Sequence, residues 1–235
     1  MEPQFKFEEE FDKPYQQDLA LKLKIKETGS LPLDPNLLHP FVRIHIVDMN
    51  TSKYLAKKEP HQKGVYNKET VQMVQMKKDP NNQSRAHFCE FEEKQVDFFM
   101  PMSTSMFDMR IKGQNSCQWN QEFVINERAS ELLKGNTVIL FEILDCNTEL
   151  IIEGSPLLRG DNMYPVAWAY LRPLGKAHIH MSRSRLQLYY FRFNYDKQIK
   201  KHRPFDLRTP EVFLDFNWEC HEKFPSFLEV DLSFV

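Results

Sequence analysis

The chain has 235 residues, 41% of them hydrophobic and 13% aromatic, enough to bury a core without help from metals or disulfides. Its net charge of −2 and pI near 6.5 give no clearly basic surface, so nucleic acid is not an expected partner. Cys89, Cys117, Cys146 and Cys220 lie far apart with no CxxC pair; this argues against a zinc site, and reduced thiols in a cytosolic compartment are the simpler reading.

Residues 1–17 are polar and acidic, with Glu8, Glu9 and Glu10 in a row, and read as a mobile arm. From Asp18 the pattern changes. Leu19, Leu21, Leu23 and Ile25 alternate with Ala20, Lys22, Lys24 and Lys26, a period of two that predicts a strand with one buried face. Gly29, Pro32, Pro35 and Pro40 punctuate the loop that follows. The next strand runs from Phe41 to Asp48, with Val42, Ile44 and Ile46 on one face and Arg43, His45 and Val47 on the other. His45 reads as a polar-face residue beside Arg43.

Residues 57–95 are rich in Lys, Glu, Gln and Asn, too long for a structureless loop in a compact domain. They read as a partly disordered insertion, in which Val71, Met73, Val74 and Met76 suggest a short helix. Order resumes at Val96. Strands are expected at Cys117–Asn126, Asn136–Asp145, Tyr164–Leu171, Arg185–Phe193 and Phe227–Val235, and a short helix or a further strand within Thr209–Cys220. Nineteen Phe, eight Tyr and three Trp against seven Gly suit aromatic packing between sheets. About eight short strands parted by turn signals predict an all-β fold, an antiparallel β-sandwich carrying one long polar insertion. Residues 18–235 are expected to form it. No apolar run approaches the roughly 18 residues of a membrane-spanning helix.

The motifs of the common catalytic frameworks are absent: no GxGxxG, no GxxxxGK[ST], no GxSxG and no HExxH. His178 and His180 read as a strand edge or turn, and the adjacent Cys220 and His221 as packing. An enzyme is therefore not expected, and no cofactor or metal is called for.

Three segments go beyond a generic sandwich. His39-Pro40-Phe41-Val42-Arg43-Ile44 resembles the DPYV-K motif of C2 domains, Trp119-Asn120-Gln121-Glu122-Phe123 their WNE-F motif, and Val138–Asp145 the strand entering their third calcium loop. They occur in the family's order, and YPVAWAYL (164–171) is similar to the strand that follows. A narrower likeness lies on top. HPFVRIHIVD (39–48), FEEKQVDFFMPMSTSMFDM (91–109), WNQEFVIN (119–126), VILFEILD (138–145), VAWAYLRPLG (166–175), RLQLYY (185–190) and FPSFLEVDLSF (224–234) together resemble the segment before the WD-repeat propeller of the jouberin family of ciliary-base scaffold proteins.

The resemblance implies a C2-like protein-interaction module, cytoplasmic and associated with the cilium base or centrosome, with ciliary-base scaffold proteins as partners. Calcium-binding C2 domains place about five carboxylates in two loops, because a hard dication needs six to eight oxygen ligands. Here Asp34 and Asp145 remain, while His39 and Asn147 stand where further carboxylates belong. These degenerate positions predict calcium independence. Trp119, Phe123 and Trp168 read as structural core, Trp168 filling space between the sheets.

Lys22, Lys24 and Lys26 on one strand and Arg43 and His45 on the next form a cationic patch if their faces coincide; Lys200, Lys201 and Arg203 form a second. Both are candidate sites for an anionic membrane surface. Tyr189, Tyr190, Phe191 and Phe193 offer an aromatic protein-binding surface, unless the 209–220 segment covers them.

Overall fold

The computed structural model describes residues 19–32, 34–57, 69–78, 86–110, 115–155, 157–158, 162–174, 182–191, 208–217 and 220–235. The arm at 1–17, His178, His180, Phe193, Lys200, Lys201 and Arg203 lie outside them. In chain order the strands are β1 (Ala20–Thr28), β2 (Pro40–Asp48), β3 (Lys53–Tyr54), β4 (Glu69–Lys78), β5 (Ala86–Val96), β6 (Met102–Ser103), β7 (Gln118–Arg128), β8 (Thr137–Asp145), β9 (Tyr164–Leu171), β10 (Arg183–Tyr189) and β11 (Lys223–Phe234). Among the described residues three short helices join them: α1 (Ala129–Leu132), α2 (Thr148–Glu153) and α3 (Val212–Phe216).

Eight strands follow the path β3-β2-β8-β9-β10-β11-β1-β7, with β6 attached to β2. All pairings are antiparallel. Most ladders are long, but β9 meets β10 only at Trp168↔Tyr189. That weak joint is where the sheet turns over on itself. Leu21, Leu23 and Ile25 of β1, with Leu228, Val230 and Leu232 of β11, pack in one cluster with Val42, Ile44 and Ile46 of β2 and Ile139, Phe141 and Ile143 of β8. Residues two apart on each strand supply the facing surfaces, as a sandwich core requires. One layer is β3-β2-β8-β9, with β6 beside β2; the other is β10-β11-β1-β7.

The first layer is buried on its far side too. Phe41, Val47, Val138, Leu140, Leu144 and Trp168 pack there with Phe191, Val212 and Phe213 in a second cluster, over which α3 lies. This explains the almost continuous apolar run of β8, all nine residues of which are buried. It also revises one expectation. Ala167 and Ala169 face the space between the sheets, whereas Trp168 points the other way, into the second cluster. Its indole N–H donates to the Tyr190 carbonyl at 3.0 Å.

The insertion differs from its sequence reading. β4 and β5 pair as a two-stranded antiparallel sheet apart from the sandwich, from Glu69↔Val96 to Lys78↔Ala86. Residues 71–76 are strand, not helix. Val71 and Met73, and Val74 and Met76, are each two apart, but the register shift between Met73 and Val74 interrupts the period, so the four together read as helical spacing.

Gly29 marks a tight crossing. Its N–H donates to the Phe227 carbonyl at 2.9 Å, and a Cβ there would lie 2.7 Å from the Phe227 ring.

Candidate functional site

The C2-type motif positions converge at one end of the sandwich, where the β1–β2 loop, the end of β8 and the start of β9 meet. Asp145 closes β8. One of its carboxylate oxygens accepts the N–H of Leu38 at 2.5 Å and the other that of His39 at 2.7 Å, so it ties the β1–β2 loop to the strand end. Burial pushes its acidity toward the neutral form, and these N–H donors only partly offset that. Asn147 caps α2: its side-chain oxygen accepts from the N–H groups of Glu149 and Leu150, and its amide donates to the Asn36 carbonyl at 2.8 Å. One oxygen of Asp34 accepts the Asn36 N–H at 2.8 Å and the other the Tyr164 hydroxyl at 2.6 Å. Among the described residues no group of three His, Cys, Asp or Glu side chains is placed to hold a metal ion. Asp34, His39, Asp145 and Asn147 thus do gather at one end, but the two Asp carboxylates and the Asn147 amide accept from the protein itself.

The cationic positions do not gather. Lys22, Lys24 and Lys26 lie on the outer face of the β10-β11-β1-β7 layer. Arg43 and His45 lie on the outer face of the other layer, facing the opposite way. Lys22 and Lys24 both approach Glu122 of β7, at 3.7 and 3.3 Å, and Lys26 approaches Glu229 of β11 at 3.8 Å. The expected joint patch is therefore divided.

His45 is a correction of another kind. It is 3% exposed. Its Nε2 lies 2.8 Å from Glu142 of β8 and its Nδ1 2.8 Å from the Tyr54 hydroxyl. An ionised carboxylate only accepts, so against it Nε2 is the donor, while the tautomer and charge of the ring set which way the Nδ1–Tyr54 bond runs. Arg43 stands 3.9 Å from the same carboxylate. The signal for this network is Glu142, a lone charge within the apolar run of β8, since a buried carboxylate requires partners.

The aromatic segment after β10 is covered. Phe191 is buried in the second cluster, and Tyr189 stacks on Tyr170, tilted against Trp168 and edge-on to His221. His221 bonds the Phe216 carbonyl at 3.1 Å, holding the end of α3. Tyr190 alone of the three described is exposed, edge-on to Phe224. The 209–220 segment carries α3 and does the covering. Trp119 and Phe123 pack at the rim of the main core. Cys117 and Cys146 are buried, which pushes their thiols up to about 12 and about 11 and leaves little thiolate for nucleophilic chemistry.

No family model matches the chain. Over 183 residues it is 27% identical to jouberin of Mus musculus and, equally, to jouberin of Rattus norvegicus, an alignment covering 74% of this chain. The chain carries a jouberin-related region. It spans about 15% of the length of those relatives. The C2-type motifs fall on β2, β7, β8 and β9, in that order. Among solved structures the chain is similar to a C2 domain of a plant extended synaptotagmin 1, with 12% identity, a TM-score of 0.37 and coverage of 93% of this chain and 95% of that one.

Proposed function

We propose that the jouberin-related region is a non-enzymatic docking module, a C2-like sandwich formed by residues 18–235 that works without calcium in a cilium-associated scaffold. Jouberin-like proteins of the cilium base are the expected setting. One observation carries the calcium-free reading. Asp34 and Asp145 already accept from the loop backbone and from Tyr164, and Asn147 caps α2, so this end supplies far fewer free carboxylates than the six to eight oxygen ligands of a hard cation call for. What remains for function is the exterior of the layers and their strand edges. Proximity labelling with the full-length protein in ciliated cells tests this reading. Enrichment of ciliary-base proteins supports it; a tagged protein that never concentrates there overturns the ciliary part.

A second reading has its own observation. Lys22, Lys24 and Lys26 share one outward face, and Arg183 and Arg185 of β10 join them there. That is a surface a peripheral adaptor could lay on anionic lipid. Co-sedimentation with phosphoinositide-containing vesicles, in calcium and in chelator, separates the readings. Binding in both conditions that is lost in Lys22→Glu/Lys24→Glu favours the membrane. Binding only with calcium overturns calcium independence. No binding in either leaves protein docking.

A further inference from the structure

The outer face of the β10-β11-β1-β7 layer holds one arrangement that the docking reading does not by itself require. Glu229 of β11 is 1% exposed although it points outward, because three cations close over it. One carboxylate oxygen takes the Nε of Arg183 at 2.5 Å; the other takes the Nε of Arg185 at 3.1 Å. Arg185 is also held over the Phe227 ring, 4.7 Å from its centre. Each guanidinium thus makes its closest approach to Glu229 through its Nε. The two side chains are 59% and 63% exposed. They stand two residues apart on one strand, about 6.7 Å along it. A buried carboxylate that fixes two exposed guanidiniums side by side is a preorganised fork, with donors spaced for a group that has several anionic oxygens.

A second observation concerns the backbone. β10 pairs with β11 along most of its length but with β9 only at Tyr189. Among the described residues, Arg183–Gln187 therefore present their other edge without a strand partner. An open edge accepts an extended segment through main-chain hydrogen bonds, and the neighbouring side chains then choose the sequence.

The charge of the face decides between a segment and a bilayer. Lys22, Lys24, Lys26, Arg183 and Arg185 are set among Glu27, Glu122, Glu229 and Asp231, with Asp231 across from both Arg183 and Lys24 in the ladders. An anionic plane meets these carboxylates as well as the cations, which weakens its attraction to the face. A single phosphoryl group carries close to two negative charges and three acceptor oxygens, and can engage the two forks alone.

The geometry points to Arg183 and Arg185 as the receptor for a phosphorylated, extended segment of a partner protein, which adds as a strand beside β10. This rests on the docking reading and names the chemistry of one of its ligands.

The test presents the whole chain to an immobilised degenerate peptide library with a fixed central phosphoserine, and to the same library with serine. The expected result is retention by the phosphoserine library alone. Arg183→Gln/Arg185→Gln should cut it by about tenfold or more, Arg183→Lys/Arg185→Lys should weaken it because an ammonium lacks the planar fork, and Lys22→Gln/Lys24→Gln should leave it unchanged. The Arg→Lys pair keeps all three cations around Glu229, and a thermal melt checks that each variant folds. Equal retention by both libraries overturns the inference, as does retention indifferent to both arginine variants. Vesicles of phosphatidylserine and phosphatidylcholine are run in parallel; arginine-dependent sedimentation without phosphoserine retention assigns the fork to lipid and also overturns it. None of these results alters the proximity-labelling test, so failure here and failure of the docking reading remain separable.

Discussion

Glu142 and His45 provide the sharpest physical test. Glu142 is 1% exposed and His45 3% exposed, and they meet at 2.8 Å on the far side of the β2–β8 ladder. Their surroundings are apolar: Phe41, Val47, Val138, Leu140 and Leu144 share the cluster on that face. Removing only the imidazole, as in His45→Leu, takes from an interior carboxylate the partner that stands 2.8 Å from it. Breaking a buried pair in this way costs about 3–5 kcal/mol, a large part of a domain's typical stability of roughly 5–15 kcal/mol. Glu142→Leu leaves the ring with one lost acceptor, which costs about 1–3 kcal/mol. Replacing both by Leu removes the charge and its desolvation cost together and fills the same space with apolar atoms. The double variant should therefore lie much closer to wild type than the sum of the single ones.

Urea unfolding at pH 7 with linear extrapolation reads all four proteins. The expected coupling is several kcal/mol, with the double variant more stable than His45→Leu. A His45→Leu cost below about 1 kcal/mol, or single effects that add within about 0.5 kcal/mol, would show that the two side chains do not act as a buried pair.

Three further outcomes are expected. Trp168→Ala should lose about 3–5 kcal/mol, since it empties the centre of the second cluster and frees the Tyr190 carbonyl; a near-neutral result in the same urea assay would contradict the packing of α3 over that face. Asp145→Ala should cost about 1–3 kcal/mol by leaving the Leu38 and His39 N–H groups without acceptors, and millimolar calcium should move the melting midpoint of the native protein by less than about 1 °C; a clear calcium-induced rise would mean that the apical loops bind the ion after all. The guanidinium of Arg183, and with it Arg185 and Lys26, holds the Glu229 carboxyl below its ordinary value of 4.5. A depressed carboxylate contributes stability that is present above its unfolded value and lost as pH falls through its folded one. Between neutral pH and the acid limb, Glu229→Gln should therefore show a shallower loss of stability below 4.5 than the native chain; identical profiles would rule out the clamp.

The strands are legible where one face is buried and the other wet. In β1 the alternation of Leu21, Leu23 and Ile25 with three lysines is the burial pattern itself. Which way a buried residue faces is not legible when both sides of a layer are covered. Trp168 between two alanines reads as a filler between the sheets, because nothing in YPVAWAYL reveals that α3 covers the opposite side. The same blindness places His45 on a wet face. Periodicity distinguishes two faces only when they differ in burial, and β2 and β8 are buried on both. β4 fails for a different reason: its period of two is broken by the register shift between Met73 and Val74, which turns Val71, Met73, Val74 and Met76 into an apparent helical spacing.

The candidate surfaces follow from the same asymmetry. One layer lies under α3, the aromatic segment after β10 and the His45–Glu142 network, so its outer face is occupied by the chain itself. The other has nothing packed over it among the described residues, and its outward side chains are charged in alternation. Sequence alone could list those charges but not their partners, because Glu229 is 44 residues from Arg185 and meets it only through the β10–β11 ladder. A basic count read along β1 alone favours a membrane. The register, which sets Glu122, Glu229 and Asp231 among the cations, turns the same face from a uniform field into separate contacts, and separate contacts select a shaped ligand over a charged plane.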